Sequence, residues 1–146
     1  MTKLLFILPL VAIGFTQSLI PVVQGVYDNG MPKEIKYYKS ISNKLELFIV
    51  KEYHENGQIR CEKKYRDGDG KLNGKLTYYY ENGQIREEGN YKDGKPNGKW
   101  TLYYENGQIK EEINYKDGKQ DGKWTWYFEN GEIQYEGNYK DGVLIE

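Results

Sequence analysis

The stretch Tyr80-Glu81-Asn82-Gly83-Gln84-Ile85 recurs almost letter for letter at Tyr104–Ile109 and Phe128–Ile133, at intervals of 24 residues. An earlier copy, His54-Glu55-Asn56-Gly57-Gln58-Ile59, lies 26 residues upstream. A second dipeptide alternates with it, at Asp67-Gly68, Asp93-Gly94, Asp117-Gly118 and Asp141-Gly142. The longer first interval comes from two extra residues in Asp69-Gly70-Lys71-Leu72-Asn73, compared with Lys95-Pro96-Asn97 one unit later. Self-similarity at a fixed period constrains the fold strongly. Each copy is one supersecondary unit that cannot bury its apolar face alone, so neighbouring copies must stack.

Asn-Gly between two alternating segments is the strongest short-range hairpin signal, because a type I′ turn needs positive φ at both central residues. A turn at Asn82-Gly83 pairs Tyr80 with Ile85, Tyr78 with Glu87 and Leu76 with Gly89. The same operation one unit later pairs Tyr104 with Ile109, Leu102 with Glu111 and Trp100 with Ile113. In the last unit it pairs Phe128 with Ile133, Trp126 with Tyr135 and Trp124 with Gly137. Period-2 alternation then gathers the bulky residues of both strands on one face. The opposite face takes Thr77, Tyr79, Arg86 and Glu88 and their equivalents, with Tyr79 set against Arg86 and Tyr103 against Lys110 for ring–cation stacking. Each Asp-Gly opens a short loop to the next unit, which keeps consecutive hairpins adjacent and antiparallel. The expected fold is all-β: an elongated single-layer antiparallel β-meander built from 24-residue hairpin repeats. It should have about eight to ten strands and no helix after residue 25.

Composition agrees with a thin sheet. Apolar residues make up 38% of the chain and charged residues 29%, and the large side chains are mostly Tyr (15) rather than Leu or Val. A net charge of −1 argues against a nucleic-acid binder, which should show a basic patch. Residues 1–18 look like a signal peptide: Lys3 supplies the positive start, Leu4 to Phe15 the apolar run, and Ser18 a cleavage point, with Gly25 as an alternative end. The expected location is therefore outside the cytoplasm: periplasm, cell surface or extracellular. The competing reading is a membrane anchor, since Leu4 to Val23 spans about the 20 residues that cross a bilayer. Residues 19–44 form a degenerate N-terminal cap, with a turn at Tyr27-Asp28-Asn29-Gly30, a strand around Ile35, Tyr37 and Tyr38, and a polar loop at Ser40–Lys44. Residues 45–146 are the repeat domain.

Little here suggests chemistry. Cys61 is the only cysteine, so no intramolecular disulfide and no cysteine metal site is expected, and it is read as a small half-buried strand residue. His54 is the only histidine and falls in the slot of Tyr80, Tyr104 and Phe128, which makes it an aromatic substitute on the core face. Glu87 and Glu111 share that face, with units about 10 Å apart, a spacing reminiscent of a glycosidase pair. The same column reads Cys61 and Tyr135 in the outer copies, however, which is not an acid/base site. The glycine loops lack the Gly-Lys-Ser/Thr ending of a phosphate cradle. The expectation is a non-enzyme with no metal and no cofactor.

The unit Asn97-Gly98-Lys99-Trp100-Thr101-Leu102-Tyr103-Tyr104-Glu105-Asn106-Gly107-Gln108-Ile109-Lys110 resembles the bacterial variant of the MORN repeat, and more narrowly YwqK-type antitoxin proteins. The resemblance covers roughly Phe48 to Gly142. It implies an elongated, twisted single-layer sheet and, from the narrower likeness, a toxin as protein partner. The residues themselves point to a binding module, because repeat sheets present side chains at fixed intervals. The candidate surface is Trp100, Leu102, Trp124 and Trp126 with Tyr78 and Tyr135, since Trp and Tyr most often carry interface energy. The alternative is a cell-envelope structural or surface protein that binds polysaccharide or membrane. MORN repeats have been linked to membranes, but the near-zero charge and the lack of a polybasic cluster do not favour anionic lipid.

Overall fold

A computed structural model of the protein describes residues 18–65 and 70–145. Residues 1–17 of the span read as a signal peptide, and the Asp67-Gly68 pair, lie outside the described residues. Among those described there is no helix. The chain forms one open antiparallel sheet of twelve strands. In chain order these are β1 (Ile20–Val23), β2 (Glu34–Ile41), β3 (Lys44–Tyr53), β4 (Ile59–Tyr65), β5 (Leu72–Tyr79), β6 (Ile85–Lys92), β7 (Lys95–Pro96), β8 (Gly98–Tyr103), β9 (Ile109–Lys116), β10 (Lys119–Tyr127), β11 (Ile133–Lys140) and β12 (Val143–Leu144). Apart from β7, each strand pairs with its neighbours in sequence. The two-residue β7 pairs with β6 beside the main path. β7 and β8 together correspond to the single strand β10 of the next unit; Asn97 interrupts them, and its N–H turns to the Asn90 carbonyl at 2.8 Å. Apart from the two-residue β7 and β12, the strands number ten, as the periodicity suggests.

β1 pairs with β2 from Ile20–Tyr38 to Val23–Ile35. Residues 20–23, which fall inside the span read as an anchor, thus belong to the sheet, and a boundary at residue 25 would sever them from it. Ser40–Lys44 is not a polar loop. Ser42 and Asn43 (φ 49° and 65°) form a two-residue turn, and Ile41 pairs with Lys44.

The type I′ turns expected at Asn-Gly do not form there. Positive φ at both central residues occurs at Asp93-Gly94 (52° and 77°), Asp117-Gly118 (50° and 89°) and Asp141-Gly142 (51° and 87°), so the type I′ hairpins lie there. They join Lys92 to Lys95, Lys116 to Lys119 and Lys140 to Val143. In the Asn-Gly turns only the glycine has positive φ, 85° at Gly83. The Tyr80 N–H donates to the Gln84 carbonyl at 2.8 Å and the Gly83 N–H to the Tyr80 carbonyl at 3.0 Å. Glu81-Asn82-Gly83 is therefore a three-residue loop, a type I turn closed by a glycine bulge. The cause is the Asn82 side chain, whose Oδ1 accepts from the Gln84 N–H at 2.9 Å. That bond holds the asparagine as a local acceptor and leaves the left-handed residue to the glycine.

The extra loop residue shifts the outermost pairs. Tyr79, Tyr103 and Tyr127 face Ile85, Ile109 and Ile133, with a bulge just inside each pair. The expected pairs of those isoleucines with Tyr80, Tyr104 and Phe128 do not form. Inside the bulge the expected register holds: Tyr78–Glu87, Leu76–Gly89, Leu102–Glu111, Trp100–Ile113, Trp126–Tyr135 and Trp124–Gly137. The bulge also moves the cations. Arg86 lies over the Tyr78 ring at 5.0 Å and Lys110 over Tyr104 at 5.6 Å, not over Tyr79 and Tyr103. One residue of slip exchanges faces.

Both faces are packed. The apolar face buries Cys61, Leu76, Trp100 and Ile113 as one cluster, flanked by Leu72, Tyr78, Tyr91, Leu102, Tyr115 and Trp124. Cys61 is fully rather than half buried. On the other face Thr77, Thr101 and Thr125 are buried beneath the ion pairs Lys75–Glu88 (2.6 Å), Lys99–Glu112 (2.5 Å) and Lys123–Glu136. Long aliphatic stems and threonine methyls cover the sheet there in place of a second layer.

Candidate functional site

The candidate surface occupies two rows of the apolar face. One row runs Cys61, Tyr78, Glu87, Leu102, Glu111, Trp126, Tyr135 through successive pairs. The other contains Leu76, Gly89, Trp100, Ile113, Trp124 and Gly137. Trp100 is only 6% exposed. Its ring is held edge-on by Tyr91 at 5.6 Å and Tyr115 at 6.0 Å, and its Nε1 donates to the Asn90 carbonyl at 3.4 Å. A Cβ on Gly89 would come within 2.2 Å of that ring, so the missing side chain makes Trp100's seat. Trp100 is a core residue beneath the surface, not part of it.

Trp124 is half-buried, 5.1 Å from Tyr135 and 5.9 Å from Tyr139 between ring centroids, and its Nε1 donates to Glu111 Oε1 at 2.5 Å. Trp126, also half-buried, carries a buried Nε1 with no hydrogen-bond partner. Tyr135 is 41% exposed. The six candidate residues therefore share a face at different depths, from Trp100 at the floor to Tyr135 at the surface.

Between Tyr78 and Tyr115 the face is hollowed into an open groove of about 500 Å³. Leu76, Trp100 and Ile113 form its floor, Tyr91, Tyr115 and Pro96 its sides, and Arg86 and Glu87 its charged lining. The sequence pattern missed this construction in two ways. Alternation puts Arg86 on the other face, and it does not single out Tyr91 and Tyr115. Their period-2 spacing from Glu87 and Glu111 was the available signal.

Glu87 and Glu88 are adjacent and experience opposite environments. Burial pushes the Glu87 carboxyl up from its ordinary pKa; Arg86 opposes this and Glu111 adds to it. No hydrogen bond or salt bridge holds Glu87 among the described residues. Glu88 is held below the ordinary range by its hydrogen bond to Lys75, with the Tyr103 hydroxyl donating to it at 2.9 Å. Burial pushes the Cys61 thiol up to about 11, so it stays a neutral thiol and a poor nucleophile. His54 does occupy the aromatic slot, but not on the core face. Its Nε2 lies 3.2 Å from the Tyr79 carbonyl, in a row where the Tyr80 and Tyr104 hydroxyls donate to the carbonyls of Tyr103 and Tyr127 at 2.7 Å. Among the described residues no three His, Cys, Asp or Glu side chains gather as metal ligands, and no helix is long and apolar enough to cross a membrane.

An open sheet of stacked hairpins, with a packed polar face and a grooved aromatic one, defines a β-repeat protein. The MORN repeat variant family model matches residues 49–67, 72–93, 96–117 and 120–141, more than half of the chain, and the protein belongs to that family. No curated protein matches the sequence significantly. Among solved structures, a chain of the GtfA/B complex bound to UDP and GlcNAc aligns at 15% identity with a TM-score of 0.34. That alignment covers 90% of this chain and 25% of the other, so this chain spans about a quarter of that relative's length.

Proposed function

We propose that the protein is a non-enzymatic binding module whose grooved aromatic face takes a protein partner. The observation that carries this reading is Glu87: a half-buried carboxylate with no direct partner, beside the exposed Arg86, above an apolar floor. A half-buried acid has lost part of its hydration, and a partner's amide, hydroxyl or ammonium group would offer it a donor. Within this class the role is that of an antitoxin or immunity protein, which neutralises a toxin by masking it. The signal-peptide reading of residues 1–18 supports placing that role outside the cytoplasm.

The test is co-expression with the toxin-like product of a neighbouring gene, scoring growth rescue by the parent chain and by Glu87→Lys and Glu87→Gln. Rescue should be lost in Glu87→Lys and weakened in Glu87→Gln. The folded pKa of Glu87 is raised, so the native state holds its proton more tightly and stability falls as pH rises just above the ordinary glutamate value. Glu87→Gln should therefore melt at or above the parent's temperature at neutral pH. Undiminished rescue by both variants would sink the groove as partner site. Retention on insoluble polysaccharide, with no toxin rescued, would select the envelope reading instead.

A further inference from the structure

The last repeat departs from the others at the positions that reach toward a following unit. Hydroxyls of Tyr27, Tyr80 and Tyr104 donate to a carbonyl of the next unit, and the corresponding residue here is Phe128, which has no hydroxyl. The amides of Asn29, Asn56 and Asn82 donate to the next turn at Glu55, Glu81 and Glu105. That of Asn130 instead bonds Glu132 Oε2 at 2.9 Å, and Glu132 stands where the three preceding Asn-Gly repeats have Gln. At the turn end of this unit the tyrosine hydroxyl is the missing donor; the amide contrast is weaker, since Asn106, which precedes another hairpin, makes no such bond either.

The middle of its outer strand is built differently. β12 pairs only with Tyr139 and Lys140, and the Ile145 N–H takes the Asn138 carbonyl. From Ile133 to Gly137 the outer edge of β11 pairs with no strand among the described residues. On β6 and β9 the same edge is filled, by Leu102 and Thr101 against Glu87 and Glu88, and by Trp126 and Thr125 against Glu111 and Glu112. The filling strand also gives each polar-face glutamate a second donor, Tyr103 to Glu88 and Tyr127 to Glu112. Glu136 takes Lys123 and the Thr125 hydroxyl, both from the inner strand β10, and nothing from outside. Ile133 and Tyr135 are 54% and 41% exposed beside it.

We propose that the outer edge of β11 accepts an extended segment of a partner protein as an added strand. Main-chain bonds would supply affinity and alternate side chains specificity, as in other strand additions. The occupant sets an apolar residue against Tyr135 and a hydroxyl or cationic one against Glu136. It carries no turn at its end, which fits the hydroxyl missing from Phe128. Charge complementarity favours it over a second copy of this chain. Self-pairing through β11 gathers Glu132 and Glu136 of both copies and brings no counterpart of the Tyr103 or Tyr127 hydroxyl. This edge is separate from the groove at Glu87, so the two readings stand or fall independently.

The test uses the full chain and a synthetic peptide with the sequence of residues 97–105, the strand that fills this slot on β6. Two alternately N-methylated versions block one or the other edge of the peptide strand. The unmodified peptide should bind and slow amide exchange over residues 133–137. One methylated version should lose affinity by about tenfold or more while the other keeps it, and Glu87→Gln should leave all three affinities unchanged. No binding, protection confined to another strand, or equal binding of both methylated peptides would overturn the proposal. So would β11 amides already protected in a peptide-free dimer, which would make the occupant a second copy.

Discussion

The two rows of turns along the sheet use closely related dipeptides and reach opposite geometries. Asp93-Gly94 and its equivalents place both residues at positive φ and close a two-residue hairpin with the strands' own backbone. Asn82 keeps negative φ and spends its side chain twice, accepting from Gln84 N–H at 2.9 Å and donating to the Glu105 carbonyl of the next unit at 3.2 Å. The Asp-Gly row closes each unit onto the strand that opens the next, whereas the Asn-Gly row ties turn to turn by side chains. Cohesion between repeats, which a single-layer sheet cannot draw from a second layer, is thus supplemented along one edge by asparagine amides and by the Tyr27, His54, Tyr80 and Tyr104 column.

The sharpest way to break this contrast is Asn82→Ala beside Asp93→Asn. The alanine removes two hydrogen bonds and should cost about 2 kcal/mol, taking each bond at its usual net worth. Asparagine tolerates the left-handed region, so Asp93→Asn should stay within about 0.5 kcal/mol of the parent. Denaturant unfolding of both variants decides the matter. Equal losses would mean that the two rows do the same job.

A smaller difference separates the glycines. Gly83 and Gly94 have φ of 85° and 77°, so alanine is strained at both, by about 1–2 kcal/mol. At Gly94 a Cβ meets nothing within 4 Å, whereas at Gly83 it would approach Gln58 Oε1 of the preceding unit to 2.4 Å. Gly83→Ala should therefore exceed Gly94→Ala by some tenths of a kcal/mol, the cost of moving a flexible amide off its rotamer. Truncating Gln58 to alanine should erase that excess, and an excess that survived the truncation would place its origin elsewhere.

These turns also mark where the sequence stopped being legible. The inner pairs, from Leu76–Gly89 to Trp126–Tyr135, follow from centring each turn on Asn-Gly, and alternation then puts the aromatic rings on one face. The turn type did not follow. Asn-Gly favours a type I′ turn through its backbone, but here the side chain of Asn82 finds a better use. The resulting bulge carried Arg86 across the sheet to Tyr78, so the groove's charged lining could not be read from an alternation that ignored it. The depth of Trp100 was hidden for another reason. It depends on Gly89 in the preceding unit, a contact set by how units pair with each other and not by the hairpin pattern within one.

The tyrosine column supplies a further pair of effects. Tyr104→Phe removes the hydroxyl that donates to the Tyr127 carbonyl at 2.7 Å, and should lower stability by about 1 kcal/mol. Amide exchange should report that loss at the boundary between the last two units and not throughout the sheet, since each unit leans mainly on its neighbours. Phe128→Tyr is the counterpart. It restores the consensus residue at a position that is 46% exposed, where no described carbonyl of a further unit receives the hydroxyl. The added group stays hydrated, so the change should fall within about 0.5 kcal/mol of zero. The pair separates two explanations of the column. If the tyrosines serve as hydroxyl donors between turns, only Tyr104→Phe has an effect; if the ring chemistry itself stabilises each turn, Phe128→Tyr should raise stability by as much as Tyr104→Phe lowers it.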